Sequence, residues 1–400
     1  MSKYQRIIEV LKEELASSQW KTGDKFLGVH DVCSRFNVSH LTAVKVLDGL
    51  VKARLVEARR GSGTFVSGLK KRICFLSPDL GLSKFYPIIR SEISELCSKN
   101  KIELDSYEVG KISSSDFSKR LTEAAETIIR SSPSGIIYLP SSAVSPYQDL
   151  VISTPYETDR SILSSFHKAK IPVILIDSGI DGQLDGKHDL VGVDNRAIGM
   201  MLGLHLLKQH AKHILFVSWR SYSQNIQDRL SGLKDATLNS QATVASYELT
   251  QSNIKDFVKL VKSRKKRPDA IVGSSDRVAS MVLHLLSKAK ISVPDDVLLS
   301  GIDGTELSSA AKPDMTTVLQ PFREIARAAC ETILGRIARP SAPARHVMIA
   351  TSLVICQSTC RDSNKQKPSS TIHEDVDNSR AIAGDSRLRL DVEGQGYSQL

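Results

Sequence analysis

No stretch of the 400-residue sequence holds the roughly 18 consecutive apolar residues that a membrane-crossing helix needs. The N-terminal stretch MSKYQRIIEVLKEELASSQW mixes charge into every turn, so it is not a secretory signal. Both absences point to a cytoplasmic chain with no membrane partner. Cysteine is sparse and scattered at Cys33, Cys74, Cys97, Cys330, Cys356 and Cys360. No metal-type CxxC pair and no disulfide framework can be read from it. The turn from Ser77 to Ser83, after the first apolar strand of the larger part, lacks the GxGxxG that brings backbone close to a pyrophosphate. GxxxxGK[ST] and the GxSxG elbow are also missing. His205, His210 and His213 have no carboxylate or cysteine at metal-ligand spacing, so they read as satisfied histidines. No metal, no cofactor and no enzymatic activity are expected.

What the sequence does have is unevenly placed charge. Residues 1–72 hold 14 Lys and Arg against 7 Asp and Glu, an excess of seven out of the chain's net +10. That favours a polyanionic partner. The same region has helical periodicity in Tyr4, Ile7, Ile8, Leu11 and Leu15, then a second helical stretch from Val29 to Phe36. After the turn at Asn37 and Val38, Ser39 is a good N-cap for a third helix with Leu41, Val44, Leu47 and Leu50 on one face. Two short apolar runs follow, Leu55-Val56 and Thr64-Phe65-Val66, around Arg59-Arg60-Gly61-Ser62-Gly63. Glycine accepts the positive φ of a tight turn, so this reads as a hairpin with a basic tip. By itself the tip could be a solvated turn or a phosphate contact. Helix, turn, helix and hairpin together make a winged helix-turn-helix over residues 1–68, whose partner is double-stranded DNA.

A basic linker occupies 69–72, and the pattern then changes. Apolar strands at Ile73–Leu76, Gly135–Leu139, Val173–Ile176, Leu190–Val193, His213–Val217, Ala270–Gly273 and Val297–Ile302 alternate with helical segments such as Ile88–Ser98, Ala197–Lys208 and Arg277–Lys288. This is an α/β pattern with parallel sheet over 73–358, a class that binds ligands beyond the carboxyl ends of its strands. The polar, aperiodic stretch 359–400 reads as a disordered tail.

The first 68 residues resemble the GntR-type winged-helix domain. The matching residues are Tyr4, Ile7, Ile8, Trp20, Gly23-Asp24-Lys25, Phe36, Val38-Ser39, Thr42, Leu47, Leu50 and Gly61-Ser62-Gly63-Thr64-Phe65-Val66. The departures are Phe26-Leu27-Gly28 in place of Leu-Pro-Ser, and His30, His40 and Val44 in place of family arginines. They imply DNA binding that is either impaired or aimed at a different operator. Residues from 72 to about 358 resemble the LacI/GalR-type effector domain, a relative of periplasmic sugar-binding proteins. The matching pieces run in order: Ile171 to Asp177, Val193-Asp194-Asn195, His213 to Val217, Arg229 with Gly232, Pro268 to Val272 with Ser275-Asp276, Val293 to Val297, Ser300 to Asp303 and Met315 to Pro321. This order of parts is similar to that of the AraR-type arabinose repressors. The resemblance implies a two-lobed, periplasmic-binding-protein-like body and a ligand-responsive transcriptional regulator that acts as a homodimer.

It also implies where contacts lie. DNA would meet Ser39, His40, Thr42, Lys45, Arg59, Arg60, Gly61, Gly63 and Thr64. A sugar or similar small polar effector would meet Asp177, Arg229, Ser275 and Asp303, with Phe85, Tyr86 or Phe322 against its apolar face. The chemistry suits these types: a guanidinium forks onto neighbouring hydroxyls and carboxylates accept hydroxyl hydrogens. Asp194-Asn195 reads as a helix cap only.

Overall fold

The computed structural model describes residues 3–16, 20, 23–53, 55–67, 71–79, 85–111, 116–141, 155–179, 188–219 and 223–361. Residues 69 and 70 of the linker and residues 362–400 of the expected tail lie outside the described residues.

The head folds as its periodicity dictates. Helices α1 (Lys3–Ala16), α2 (Val29–Phe36) and α3 (His40–Lys52) enclose a core of Ile7, Leu11, Val32, Ala43, Val46, Leu47 and Leu50. Asn37 takes a left-handed conformation at the end of α2, and Ser39 caps α3. Strands β1 (Val56–Arg59) and β2 (Gly63–Val66) pair antiparallel with Val56 opposite Val66. Lys25 bridges to Phe65, and the carbonyl of Thr64 accepts from the amide of Phe26 at 2.8 Å, so the hairpin is tied to the helices. Gly61 and Gly63 have φ of +74° and +113° at the hairpin tip, which a side chain would resist.

Among the described residues, the body has two six-stranded sheets. The first runs β13-β7-β6-β5-β3-β4, all parallel, from β3 (Arg72–Asp79), β4 (Glu103–Lys111), β5 (Gly135–Tyr138), β6 (Val173–Ile176), β7 (Asp189–Val193) and β13 (His346–Ile349). The second runs β14-β12-β11-β10-β8-β9, from β8 (His213–Trp219), β9 (Thr243–Leu249), β10 (Ala270–Gly273), β11 (Leu298–Asp303), β12 (Thr316–Leu319) and β14 (Ser352–Val354). Only β14 is antiparallel to its neighbour. The chain therefore passes between lobes three times: after β7, after β12 and between β13 and β14.

Helices cover both faces. On the first sheet, α5 (Phe117–Ser131) and α6 (Pro155–Lys168) pack on one side. On the second, α9 (Ile254–Lys262) and α10 (Asp276–Lys288) do the same, with short α11 (Glu306–Ala310) nearby. The remaining faces share one core, filled by α4 (Phe85–Lys99), α7 (Asn195–Lys208), α8 (Gln224–Thr237) and α12 (Phe322–Ala338). Thr359, placed in the tail by sequence, is fully buried, and its hydroxyl shares hydrogen bonds with His205 Nε2 at 2.8 Å and Thr316 Oγ1 at 2.7 Å. Among the described residues, no helix is long and apolar enough to cross a membrane.

Candidate functional site

The exposed face of α3 is built by its cap. Ser39 Oγ accepts from the Thr42 amide at 3.4 Å and lies 2.9 Å from Thr42 Oγ1, which fixes the first turn. His40 and Lys45 are exposed and Thr42 is half-buried. Leu41 is 66% exposed, an apolar side chain that no packing of the head explains and that the sequence had assigned to the core face. On the hairpin, Arg60, Gly61 and Gly63 are exposed. Arg59 is engaged within the hairpin: its guanidinium lies 4.5 Å over the Phe65 ring, and its Nε donates to the Glu57 carboxylate at 2.8 Å. Thr64, expected among the DNA contacts, has its side chain buried, because position 64 lies on the side of β2 that closes onto the helices.

The second site lies at the carboxyl ends of the strands. Asp177 follows β6, Ser274 and Ser275 follow β10, Asp303 ends β11, and Gln320 follows β12. Asn195 opens α7 after β7, while Asn225 and Arg229 sit in the first turns of α8 after β8. The structure joins them into one network. Arg229 is buried; its Nε donates to Asn195 Oδ1 at 2.8 Å, its Nη1 to the Ser274 carbonyl at 2.7 Å, and its Nη2 is 3.7 Å from Asp303 Oδ1. Gln320 Nε2 donates to Asp303 Oδ1 at 2.8 Å. Asn225 Nδ2 donates to Asp177 Oδ2 at 3.0 Å, which ties the second lobe to the first.

Two features mark this as more than packing. Asp177 and Asp303 both hold positive φ, +74° and +120°, conformations costly for a residue with a Cβ and concentrated at binding sites. Gly192 makes room for the Asp177 backbone, since a Cβ there would stand 3.1 Å from the Asp177 carbonyl oxygen. The second feature is Gln320 Oε1, buried with no hydrogen-bond partner among the described residues. It is an acceptor left for a donated hydroxyl hydrogen.

The electrostatics follow from burial. Asp276, fully buried at the start of α10, accepts from the Thr305 amide at 2.6 Å and from Thr317 Oγ1 at 2.6 Å. Burial and the neighbouring Asp303 charge push it up to about 7. Burial also raises Asp303, against the pull of Arg229. The site therefore holds two carboxyl groups reluctant to ionise together beside one guanidinium.

Several sequence expectations change here. The Arg229 fork was expected on ligand hydroxyls; most of it is engaged by Asn195, Ser274 and Asp303, and it organises the site from behind. Ser275 caps α10 by accepting from the Val278 amide at 3.3 Å, and its O–H remains able to donate. Asn195 is more than a cap element: Asp194 caps α7 through the Ala197 amide at 2.9 Å, while Asn195 holds Arg229. Phe322 is half-buried against the shared core. The side chains of Phe85 and Tyr86 lie outside the described residues. Gln320 and Asn225 were missed because amides carry no charge signal in a sequence. Among the described residues, no group of three or more His, Cys, Asp and Glu could hold a metal ion.

Residues 3–66 match the bacterial regulatory proteins of the gntR family, and residues 204–359 match the periplasmic binding protein-like domain. An arabinose metabolism transcriptional repressor of Geobacillus stearothermophilus is 24% identical over 357 residues, 85% of this chain and 93% of the relative. A ribose operon repressor of Haemophilus influenzae is 24% identical over 283 residues, 68% of this chain and 77% of the relative. A LacI family transcriptional regulator from Enterococcus faecium, solved with bound ribose, superposes with a TM-score of 0.56 at 19% identity, over 73% of this chain and 100% of that one. That last likeness is one of fold.

Proposed function

We propose that this chain, which joins a gntR-family regulatory head to a periplasmic-binding-protein-like body, is a cytoplasmic transcriptional repressor released from its operator by a sugar. The observation that carries the reading is the strand-end network, in which Asp177, Asp303 and the unpartnered Gln320 Oε1 offer acceptors while Arg229 and Asn225 hold them in place. Such a set suits a molecule with several hydroxyl groups. The named relatives that control arabinose and ribose metabolism support the same class of effector. Two copies of the chain would present two heads to the half-sites of a palindromic operator, with Lys45, Arg60 and the first turn of α3 against the DNA. The sugar shifts the balance through its difference in affinity between lobe arrangements, and the heads lose their match to the half-site spacing.

One alternative has a specific observation behind it. Val44 and His40 stand where the family has arginines, and Arg59 is held by Glu57 and Phe65. A head so depleted of free cations would leave a sugar-binding protein with little affinity for DNA. A fluorescence-anisotropy titration separates the two. DNA from the gene's own upstream region is titrated at two salt concentrations, with a panel of pentoses and hexoses. Tight binding abolished by one sugar is the expected result. Weak binding to any DNA, indifferent to sugar, would leave the alternative standing.

A further inference from the structure

At the opposite end of the first lobe from the effector network lies a cavity of about 340 Å³. It is lined by Gly335, Arg336, Arg339, Ala342, Pro343 and Arg345, three arginines and no acid. The carboxylate that reaches this group is Asp189, itself buried. It binds Arg336 through both oxygens, at 2.7 and 2.9 Å, accepts from the Arg345 amide at 2.7 Å, and lies 3.8 Å from Arg345 Nε. Arg336 is a wall element, since its remaining donors go to the carbonyls of Pro340, Ala342 and Pro343. Arg345 is about half exposed, with a side-chain accessibility of 48%, and Arg339 is exposed with no side-chain partner among the described residues. One carboxylate against three guanidinium groups leaves two positive charges around the cavity.

The unpartnered fork of Arg339 and the half-exposed one of Arg345, with a surplus of two charges, match a dianion. A carboxylate would neutralise half the surplus; a phosphomonoester carries about −1.5 to −2 at neutral pH and offers three acceptor oxygens. The volume is at the small end of the range for small-molecule sites, roughly 300–1,000 Å³. Gly335 keeps the floor open: Arg345 Nη2 comes within 3.2 Å of where a Cβ would stand.

Position gives the cavity a use. Asp189 and His346 open the neighbouring parallel strands β7 and β13, so the cavity lies at the strands' amino ends, as does Arg72, where the chain arrives from the head. Helix α12 carries Gly335 and Arg336 in its last turn, with Arg339 as the residue that caps it, and Phe322, next to the effector network, at its other end, about 25 Å away. The head's α1 touches this same helix.

We infer that this arginine cavity is a second ligand site, which takes the phosphoryl group of a small phosphorylated metabolite at the junction of head and body. The test is calorimetric titration of the full chain with glucose 6-phosphate, with glucose and potassium chloride at matched ionic strength as controls. Saturable binding of the phosphorylated sugar is expected, undiminished by Asp303→Asn in the effector network. It should weaken by roughly tenfold per charge-assisted contact removed in Arg339→Ala and Arg345→Ala, whose side chains lie at the surface. Gly335→Leu keeps every charge and fills the cavity; it should also abolish binding, with the thermal midpoint checked to show that each variant folds. No saturation beyond the chloride control, or binding indifferent to all three substitutions, would overturn the inference. So would a double arginine variant that loses affinity for random duplex DNA and not for glucose 6-phosphate, which would put these arginines on the DNA. Because binding is read without an operator, the result does not depend on the repressor reading.

Discussion

At the residue scale, the effector network turns on one guanidinium beside two carboxyl groups. Arg229 is buried, and removing its charge leaves Asp303 and Asp276 facing each other without a counter-ion. Arg229→Leu should cost about 3–5 kcal/mol of stability, as breaking a buried pair does, and should remove sugar binding. Chemical denaturation and calorimetry measure the two effects separately. The carboxyl groups also set a pH dependence. Asp276 is raised from its unfolded value, so the folded chain holds more protons than the unfolded chain between about pH 4 and about 7. Its contribution to stability therefore falls as pH rises through that window. Asp276→Asn should flatten this part of the profile, seen as a smaller difference between urea midpoints at pH 5 and pH 7. On the head, exposed Leu41 fits an apolar contact with a thymine methyl. Leu41→Ala should weaken operator binding by about 1 kcal/mol, the size of a mismatched base contact. The variant should no longer distinguish thymine from uracil at the contacted position.

At the element scale, packing between helices does what side-chain chemistry cannot. Helices α7 and α8 meet backbone to backbone. A Cβ on Gly199 would stand 1.9 Å from the Arg229 carbonyl oxygen, and one on Gly232 would stand 1.8 Å from that of Arg196. Backbone cannot move aside as a flexible side chain can, so Gly199→Ala must push the helices apart. The cost should be about 1–3 kcal/mol or more, and because Arg229 rides on α8 the sugar affinity should drop as well. Thermal unfolding and a sugar titration on the same variant would show both. The strands that sequence reading found were those buried on both faces, such as Val173–Ile176 with four apolar residues. The ones it missed were β12, whose threonines dilute a buried strand's apolar run, and the four edge strands β4, β9, β13 and β14, with half-exposed, mixed sequences. An edge strand faces solvent along its length, and its apolar signal is diluted to match.

At the scale of the whole molecule, the three passages of the chain between lobes make each lobe a composite of distant segments. The Asp177–Asn225 bond joins the lobes at the ligand's side of that framework. Asp177→Ala should reduce sugar affinity by about tenfold, the effect of one lost charge-assisted hydrogen bond. DNA affinity in the absence of sugar should stay unchanged, so that more sugar is needed to release the operator; anisotropy at fixed DNA and increasing sugar would show this. The same assay carries a salt test. Affinity should fall by a slope of about 0.9 in log Kd against log salt for each phosphate contacted. Lys45→Ala and Arg60→Ala should each lower that slope by about one contact.

The sequence by itself determined the elements and their order. The helices of the head, the hairpin with its glycine tip, and seven of the body's strands follow from periodicity and turn chemistry, which act over a few residues. Asp177, Arg229 and Asp303 came from the resemblance to the LacI/GalR-type effector domain, and the structure brings them together at the strand ends. The tertiary structure decided what those residues do. Arg229 became an organiser of acceptors because Asn195, 34 residues away, and Ser274, 45 residues away, were folded against it. The Thr64 side chain turned onto the helices because it shares a hairpin face with Val56, which the head's core buries, and the arginines at 336, 339 and 345 became a cavity only when Asp189 was brought to them from 147 residues upstream of Arg336. Local spacing cannot encode such meetings. They arise when apolar surfaces far apart in the chain are buried together, and the polar groups carried along must find whichever partners the packing supplies.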